Sequence, residues 1–272
     1  MIRFLIGILA WGSNCLPVLA ADLPAATDEA GRAPMRFEWR MEGPTERCGN
    51  ACRTWISAVG IITKHTERDF EIFAKENNVR GATLVLDSEG GSVLAALALG
   101  RAIRRFDMTT TVGRTIVLAS TDGNAWAKLS PDASCQSMCA FLLLGGARRY
   151  VPPEARVLVH MIWLADKSER ALEASYTAEE LGRVQSDIGS IARYTVEMGG
   201  GIELLEAALR VPPWKPLYAL AADEVQRMRL TTLDRLYEGD ILAAQAPLQA
   251  TPAFANFNSS LATFTQTHGG KD

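Results

Sequence analysis

A serine, a histidine and a pair of glycines are the residues in this chain whose types could combine into chemistry. Ser137 stands in Cys135-Gln-Ser-Met-Cys139-Ala-Phe, at the opening of an apolar stretch. His160 follows in Arg156-Val-Leu-Val-His-Met-Ile-Trp163, and Gly90-Gly91 interrupt Asp87-Ser-Glu-Gly-Gly-Ser92. A serine hydroxyl is a weak nucleophile until a base accepts its proton. Histidine is the side chain best suited to that task near neutral pH. Glycines at a strand-to-helix turn let backbone N–H groups converge on an anion, and the helix start adds partial positive charge. Together these parts describe acyl transfer with a backbone oxyanion hole. Each also has a plainer role: Ser137 as a helix cap, His160 as a core residue of an apolar strand, the glycines as a chain reversal. Of the other two histidines, His65 follows a strand and His268 lies close to the C-terminus.

The elements around these residues alternate. Met35 to Met41 alternates as a strand, and Trp55 to Thr63 reads as a buried one. Thr66 to Asn77 carries helix signals, followed by a short apolar strand at Ala82 to Leu86. Ser92 can cap a helix over Val93 to Phe106, and Thr109 to Val112 is the next strand. Thr115 to Ser134 breaks the rhythm with Asp, Gly, Asn and Pro, and is expected as an exposed loop or lid. Met138 to Leu144 predicts a helix stopped by Gly145-Gly146, and Arg149 to Val151 and Arg156 to Trp163 predict strands. Thr177-Ala-Glu-Glu180 starts a long helix towards Met198, and helices over Ile202 to Leu209 and Ala221 to Arg229 complete the pattern. Alternation of this kind predicts an α/β domain with a parallel sheet and crossover helices. The domain is expected over residues 55–245, after an N-terminal segment over 21–54, with a disordered tail over 246–272.

In order and context the three motifs resemble the proteolytic subunit of the Clp protease. The matching stretches are Leu86-Asp-Ser-Glu-Gly-Gly-Ser-Val93, Ser137-Met-Cys-Ala-Phe-Leu-Leu-Leu-Gly-Gly-Ala-Arg-Arg149 and Val151-Pro-Pro-Glu-Ala-Arg-Val-Leu-Val-His160. The resemblance spans Ile56 to Thr232 and is nearest to an exported branch of that family. It implies a single-domain ClpP/crotonase-like fold and a serine peptidase with no cofactor and a peptide or protein substrate. Ser137 would be the nucleophile and His160 the general base. The N–H groups of Gly91 and Met138, with Gly90 beside them, would form the oxyanion hole. Homo-oligomeric rings are a further implication of the family. The chain departs from the pattern in two places. Where the family's acid is expected, Pro213-Trp-Lys-Pro-Leu-Tyr-Ala-Leu220 offers Lys215, Pro216 or Leu217. Asp187 and Glu197 are the nearest candidate substitutes, and the insertion before Ser134 has no counterpart. A serine–lysine arrangement, with Lys128 or Lys215, is a weaker parallel.

Location and partners follow from the ends and the charge. Arg3, the apolar run Phe4 to Trp11 and Val18-Leu19-Ala20 read as a secretory signal over residues 1–20. That run is too short to span a bilayer, which takes about 20 residues. A periplasmic or secreted protein without membrane insertion after cleavage is therefore expected, and export also argues against a coenzyme A substrate. A net charge of −3 leaves no strong positive field for nucleic acid. The arginines at 101, 104, 105, 148 and 149 read as solvated edges. Beyond the signal stand Cys48, Cys52, Cys135 and Cys139. In an oxidising compartment these are expected as local disulfides, Cys48–Cys52 and Cys135–Cys139, rather than a metal site. Bridges between the two pairs are the two other connectivities. The competing function is a catalytically inactive scaffold that uses the same cleft to bind.

Overall fold

Short β-branched and aliphatic runs separated by amphipathic helices build a mixed α/β body. The computed structural model describes residues 33–43, 48–119 and 125–237. The signal and the tail read from the sequence lie outside the described residues. In chain order the elements are β1 (Arg36–Met41), β2 (Thr54–Val59), α1 (Thr66–Glu76), β3 (Thr83–Asp87), α2 (Val93–Arg105) and β4 (Thr109–Val112). There follow β5 (Arg114–Ala119), β6 (Ala125–Ser130), β7 (Ser134–Gln136), α3 (Met138–Leu143), β8 (Arg148–Tyr150) and β9 (Arg156–Val159). The last are α4 (Ala178–Glu197), α5 (Glu203–Leu209), β10 (Tyr218–Ala219) and α6 (Ala222–Arg227), with 3-10 turns at Gly49–Ala51 and Ala165–Arg170.

The main sheet runs β1-β2-β3-β4-β8. Its last four strands are mutually parallel, and only the edge strand β1 runs against its neighbour. Parallel neighbours require crossovers, which α1, α2 and α3 supply. A second sheet runs β10-β9-β7, with β7 and β9 parallel and β10 antiparallel. A bridge between Ser88 and Cys135 stitches the two sheets together at the end of β3. That junction is where the glycine pair and Ser137 meet.

One core joins the sheet to its helices. Phe70 of α1 is fully buried and meets Phe37 of β1 edge-on, ring centres 5.1 Å apart. All six residues of α3 are buried, so it is an interior helix rather than an amphipathic one. Ser92 caps α2 by accepting the Ala95 N–H, and Thr177 and Glu180 form a full capping box on α4.

Three readings are corrected. Within the segment 115–134, residues 115–119 and 125–130 are strand rather than loop: β5 and β6 pair antiparallel from Arg114↔Ser130 to Ala119↔Ala125. Its strands carry Thr115-Ile-Val-Leu118 and Trp126-Ala-Lys-Leu129, a β-rich signal outweighed in reading by the polar residues between them. The strand expected to Trp163 ends at Val159, because Met161 turns its N–H to Val211 O, 2.8 Å away. Arg104 and Arg149 are not solvated edges. Arg104 donates to the carbonyls of Leu144, Gly145, Gly146 and Met198, at 2.8–3.1 Å. Arg149 is 5% exposed and donates to Gly146 O and Arg229 O.

Those carbonyls lie at and just beyond the C-terminal ends of α3, α4 and α6, where helices leave acceptors without intrahelical donors. Cations are favoured at such ends. Burial pulls the Arg149 guanidinium down to about 10, with Arg104 nearby adding to the effect. The group stays charged at neutral pH. Arg149→Met should therefore cost about 1–3 kcal/mol, since it leaves Arg229 O without its donor while Gly146 O keeps Arg104. Urea denaturation followed by circular dichroism measures it; a loss below about 0.5 kcal/mol, the size of a surface substitution, would contradict the clamp.

Candidate active site

Ser137 sits at the pivot between β7 and α3 with φ 54° and ψ −121°. Non-glycine residues rarely adopt positive φ, and holding one there costs of order 1–3 kcal/mol. It does not cap α3, since its side chain makes no cap bond. The backbone thus makes a sharp strand-to-helix turn with a serine at positive φ at its apex. The plain N-cap reading of Ser137 is thereby removed.

Five ties hold this turn. The Ser137 N–H donates to Leu158 O of β9 at 2.8 Å. Ser88 N donates to Ser134 O at 3.1 Å, and Gln136 N donates to Ser88 O at 2.9 Å. The Ala140 N–H returns to Ser137 O at 3.0 Å. Finally, a disulfide joins Cys135 to Cys139 across the pivot, Cα atoms 5.2 Å apart. Cys48 and Cys52 form the second bridge, Cα atoms 4.8 Å apart, so both local pairings are present. By loop-closure entropy a bridge over so few residues contributes about 2 kcal/mol, comparable with the strain at Ser137.

The glycine pair closes on the serine from β3. Gly90 has φ +90°, and a Cβ there would lie 2.5 Å from Gln136 O and 2.9 Å from both Met138 N and Ser137 Cβ. Only a residue without a side chain allows that approach. Ile62 donates to Gly90 O, and Ser92 donates to Ile62 O, each at 2.7 Å. Pairing of this kind uses the residues either side of Gly91, so the Gly91 N–H faces away from Ile62. Among the described residues neither the Gly91 N–H nor the Met138 N–H has a hydrogen-bond acceptor. Two unused backbone donors thus flank the serine turn. Gly90→Ala should slow any serine-probe labelling of Ser137 and destabilise the domain by about 1–3 kcal/mol, the usual cost of overpacking. Thermal unfolding and serine-probe reactivity, measured on the same sample, would check both halves; wild-type values would contradict the close approach.

Ser88 is a site residue that the sequence did not reveal. Its buried hydroxyl donates to Gly60 O at 2.6 Å and accepts the Gly90 N–H at 3.1 Å, while its backbone pairs with β7. It fixes the glycine turn to the serine strand. Nothing in Asp87-Ser-Glu marks this role.

His160 follows β9 directly, and β9 lies beside β7, with Gln136 opposite Leu158. The next step of that register sets Ser137 beside Val159, the neighbour of His160. Both side chains are half-buried and Gly91 is exposed, so the site opens to solvent. Among the described residues no hydrogen bond joins Ser137 Oγ to the imidazole, and no carboxylate pairs with it. Burial pushes the His160 imidazole down from its ordinary value, opposed by a hydrogen bond with the Met161 backbone. It is neutral at pH 7, the form a general base needs. Of the two substitute acids, Glu197 is held by Arg101 at 2.7 Å, and burial pushes the Asp187 carboxyl up, with Arg183 as its charged neighbour. Neither reaches His160.

The position expected to hold an acid is resolved by β10. Tyr218 pairs with Val159 and Ala219 with Leu158, so the antiparallel register sets Leu217 opposite His160. Leu217 is 37% exposed and cannot orient an imidazole. Among the described residues no group of three His, Cys, Asp or Glu side chains could hold a metal. A cavity of about 1200 Å³, lined by Trp55, Thr111, Leu129, Tyr150 and Leu233, is not lined by Ser137 or His160. No protein-family model matches the chain, and no curated protein matches it either.

Proposed function

We propose that this chain is an exported serine hydrolase of the ClpP/crotonase-like type, cleaving peptides with a Ser137–His160 dyad. The observation that carries the reading is Ser137 itself: a serine at positive φ on a strand-to-helix turn, beside two unused N–H donors. Oxidised cysteines support a location outside the cytoplasm.

In the proposed reaction Ser137 Oγ attacks the substrate carbonyl carbon while His160 takes the hydroxyl proton. The oxyanion is met by the N–H groups of Gly91 and Met138, a donor of this kind being worth about 2.7–4 kcal/mol. Collapse breaks the C–N bond, and His160 returns the proton to the leaving amine. Water, deprotonated by the same histidine, then releases the acyl group and restores Ser137. A dyad lacking its acid leaves the imidazolium unsupported, so turnover is slow. Hydrogen bonds of catalytic groups often tighten only when substrate binds, which accommodates the open Ser137–His160 pair.

Hydrolysis of an activated ester against pH tests the reading. With His160 depressed below its ordinary value, near 6.5 in model peptides, the midpoint of the rise in rate should lie below about pH 6.5. The same shift bears on stability. Below its ordinary value the unfolded chain binds the proton before the folded one does. Stability from this group is therefore complete above pH 6.5 and falls as pH drops towards the folded value. A rate still rising well above pH 7, or one unchanged in Ser137→Ala, would overturn the assignment. The inactive-scaffold reading rests on one observation, that no carboxylate pairs with His160 among the described residues, and predicts no Ser137-dependent hydrolysis.

A further inference from the structure

The bridge between Cys135 and Cys139 encloses the proposed nucleophile, one cysteine in β7 and the other in the first turn of α3. Ser137 is the pivot between them, in a backbone conformation that persists only where its surroundings enforce it. On the strand side the enforcement is a set of hydrogen bonds to Leu158 and Ser88. On the helix side, α3 spans six residues, too few to be stable by itself. Apart from the Ala140 bond to Ser137 O, the covalent tie from that first turn back to β7 is the disulfide.

We propose that the Cys135–Cys139 disulfide holds Ser137 in its reactive conformation, so that the site assembles only in a chain folded with this bridge closed. Cys135 and Cys139 are then positioning residues, and the proposal rests on the hydrolase reading of Ser137. Closing the bridge removes two protons and two electrons from the two thiols. A disulfide donor of the oxidising compartment accepts them and becomes a dithiol. Both cysteines are fully buried, which shields the closed bridge from attack by an outside thiolate. The state is therefore set during folding rather than toggled afterwards. A chain folded in a reducing compartment stays unreactive, and reactivity arises only where disulfides form. Cys48–Cys52, partly exposed and remote in sequence from the pivot, has no such role.

The test uses the full chain carrying Cys48→Ala and Cys52→Ala, so that one disulfide remains. One portion is refolded with glutathione disulfide and another in reductant, and each is exposed to a fluorophosphonate probe. The reduced portion should keep its circular dichroism yet label at least about tenfold more slowly, with faster amide exchange over Gln136–Ala140. Unfolding it and refolding with glutathione disulfide should restore the rate. Reductant added to the oxidised, folded protein should leave labelling unchanged. Cys135→Ala/Cys139→Ala, in the same background, should match the reduced portion. Equal labelling with and without the bridge overturns the proposal and leaves the hydrolase reading standing. A bridge-less chain that does not fold also overturns it, because the bridge would then support the domain rather than the turn. Absence of labelling in the oxidised protein defeats the hydrolase reading, and this inference with it.

Discussion

Leu217→Asp is expected to raise the turnover of an activated ester by about ten- to a hundredfold, part of the roughly 10⁴ that a triad acid is worth. The antiparallel register of β10 on β9 sets position 217 opposite His160. A carboxylate there could accept the imidazole N–H, orient the ring and stabilise its charged form. Three signatures separate this from a general change of the surface. Turnover should rise while KM stays nearly constant, because the gain is confined to the transition state. The lower limb of the pH–rate profile should move up in pH, since a nearby negative charge favours the protonated imidazole. Pro216→Asp, one residue out of register, should gain less. Leu217 is already 37% exposed, so the substitution removes little buried apolar surface. If neither variant gains activity, the slow-dyad account loses its main support and the scaffold reading becomes the better one.

His160→Ala should lower the same turnover by about 10²–10⁴-fold, the usual contribution of a positioned acid–base group. Its imidazole is half-buried and shares no hydrogen bond with another side chain among the described residues. The stability cost should accordingly be modest, within about 1 kcal/mol, the centre of the range for point substitutions. A large loss of rate with a small shift in unfolding temperature would assign His160 to chemistry rather than packing. An unchanged rate would return it to the plain role of a residue at the end of an apolar strand.

The sequence carried the alternation of strands and helices well, because most elements repeat their apolar residues at a single clear period. α4 was legible through its capping box, and α2 through Ser92 and its apolar spacing. The pairing of β5 with β6 was not, since the intervening sequence Ser120-Thr-Asp-Gly-Asn124 is polar and only the strands' β-branched and aromatic content marks them. β7 was missed for a different reason. Three residues are too few for a period, and the strand exists only because Ser88 and β9 hold it on either side.

For the site, residue types pointed to Ser137, His160 and the glycine pair, but three decisive features are not properties of local sequence. The positive φ of Ser137 depends on how β7, α3 and the disulfide meet. The choice of Leu217 over its neighbours depends on the register of β10. The structural use of Arg104 and Arg149 depends on several helix ends coming together in space.

The central claim is that Ser137 is an activated nucleophile. Its most direct test is to treat the oxidised, folded protein with a fluorophosphonate and locate the adduct by peptide mass spectrometry. The account predicts a single adduct on Ser137 that is lost in Ser137→Ala, and that forms far more slowly in His160→Ala. An adduct elsewhere, or labelling that survives Ser137→Ala, would contradict it.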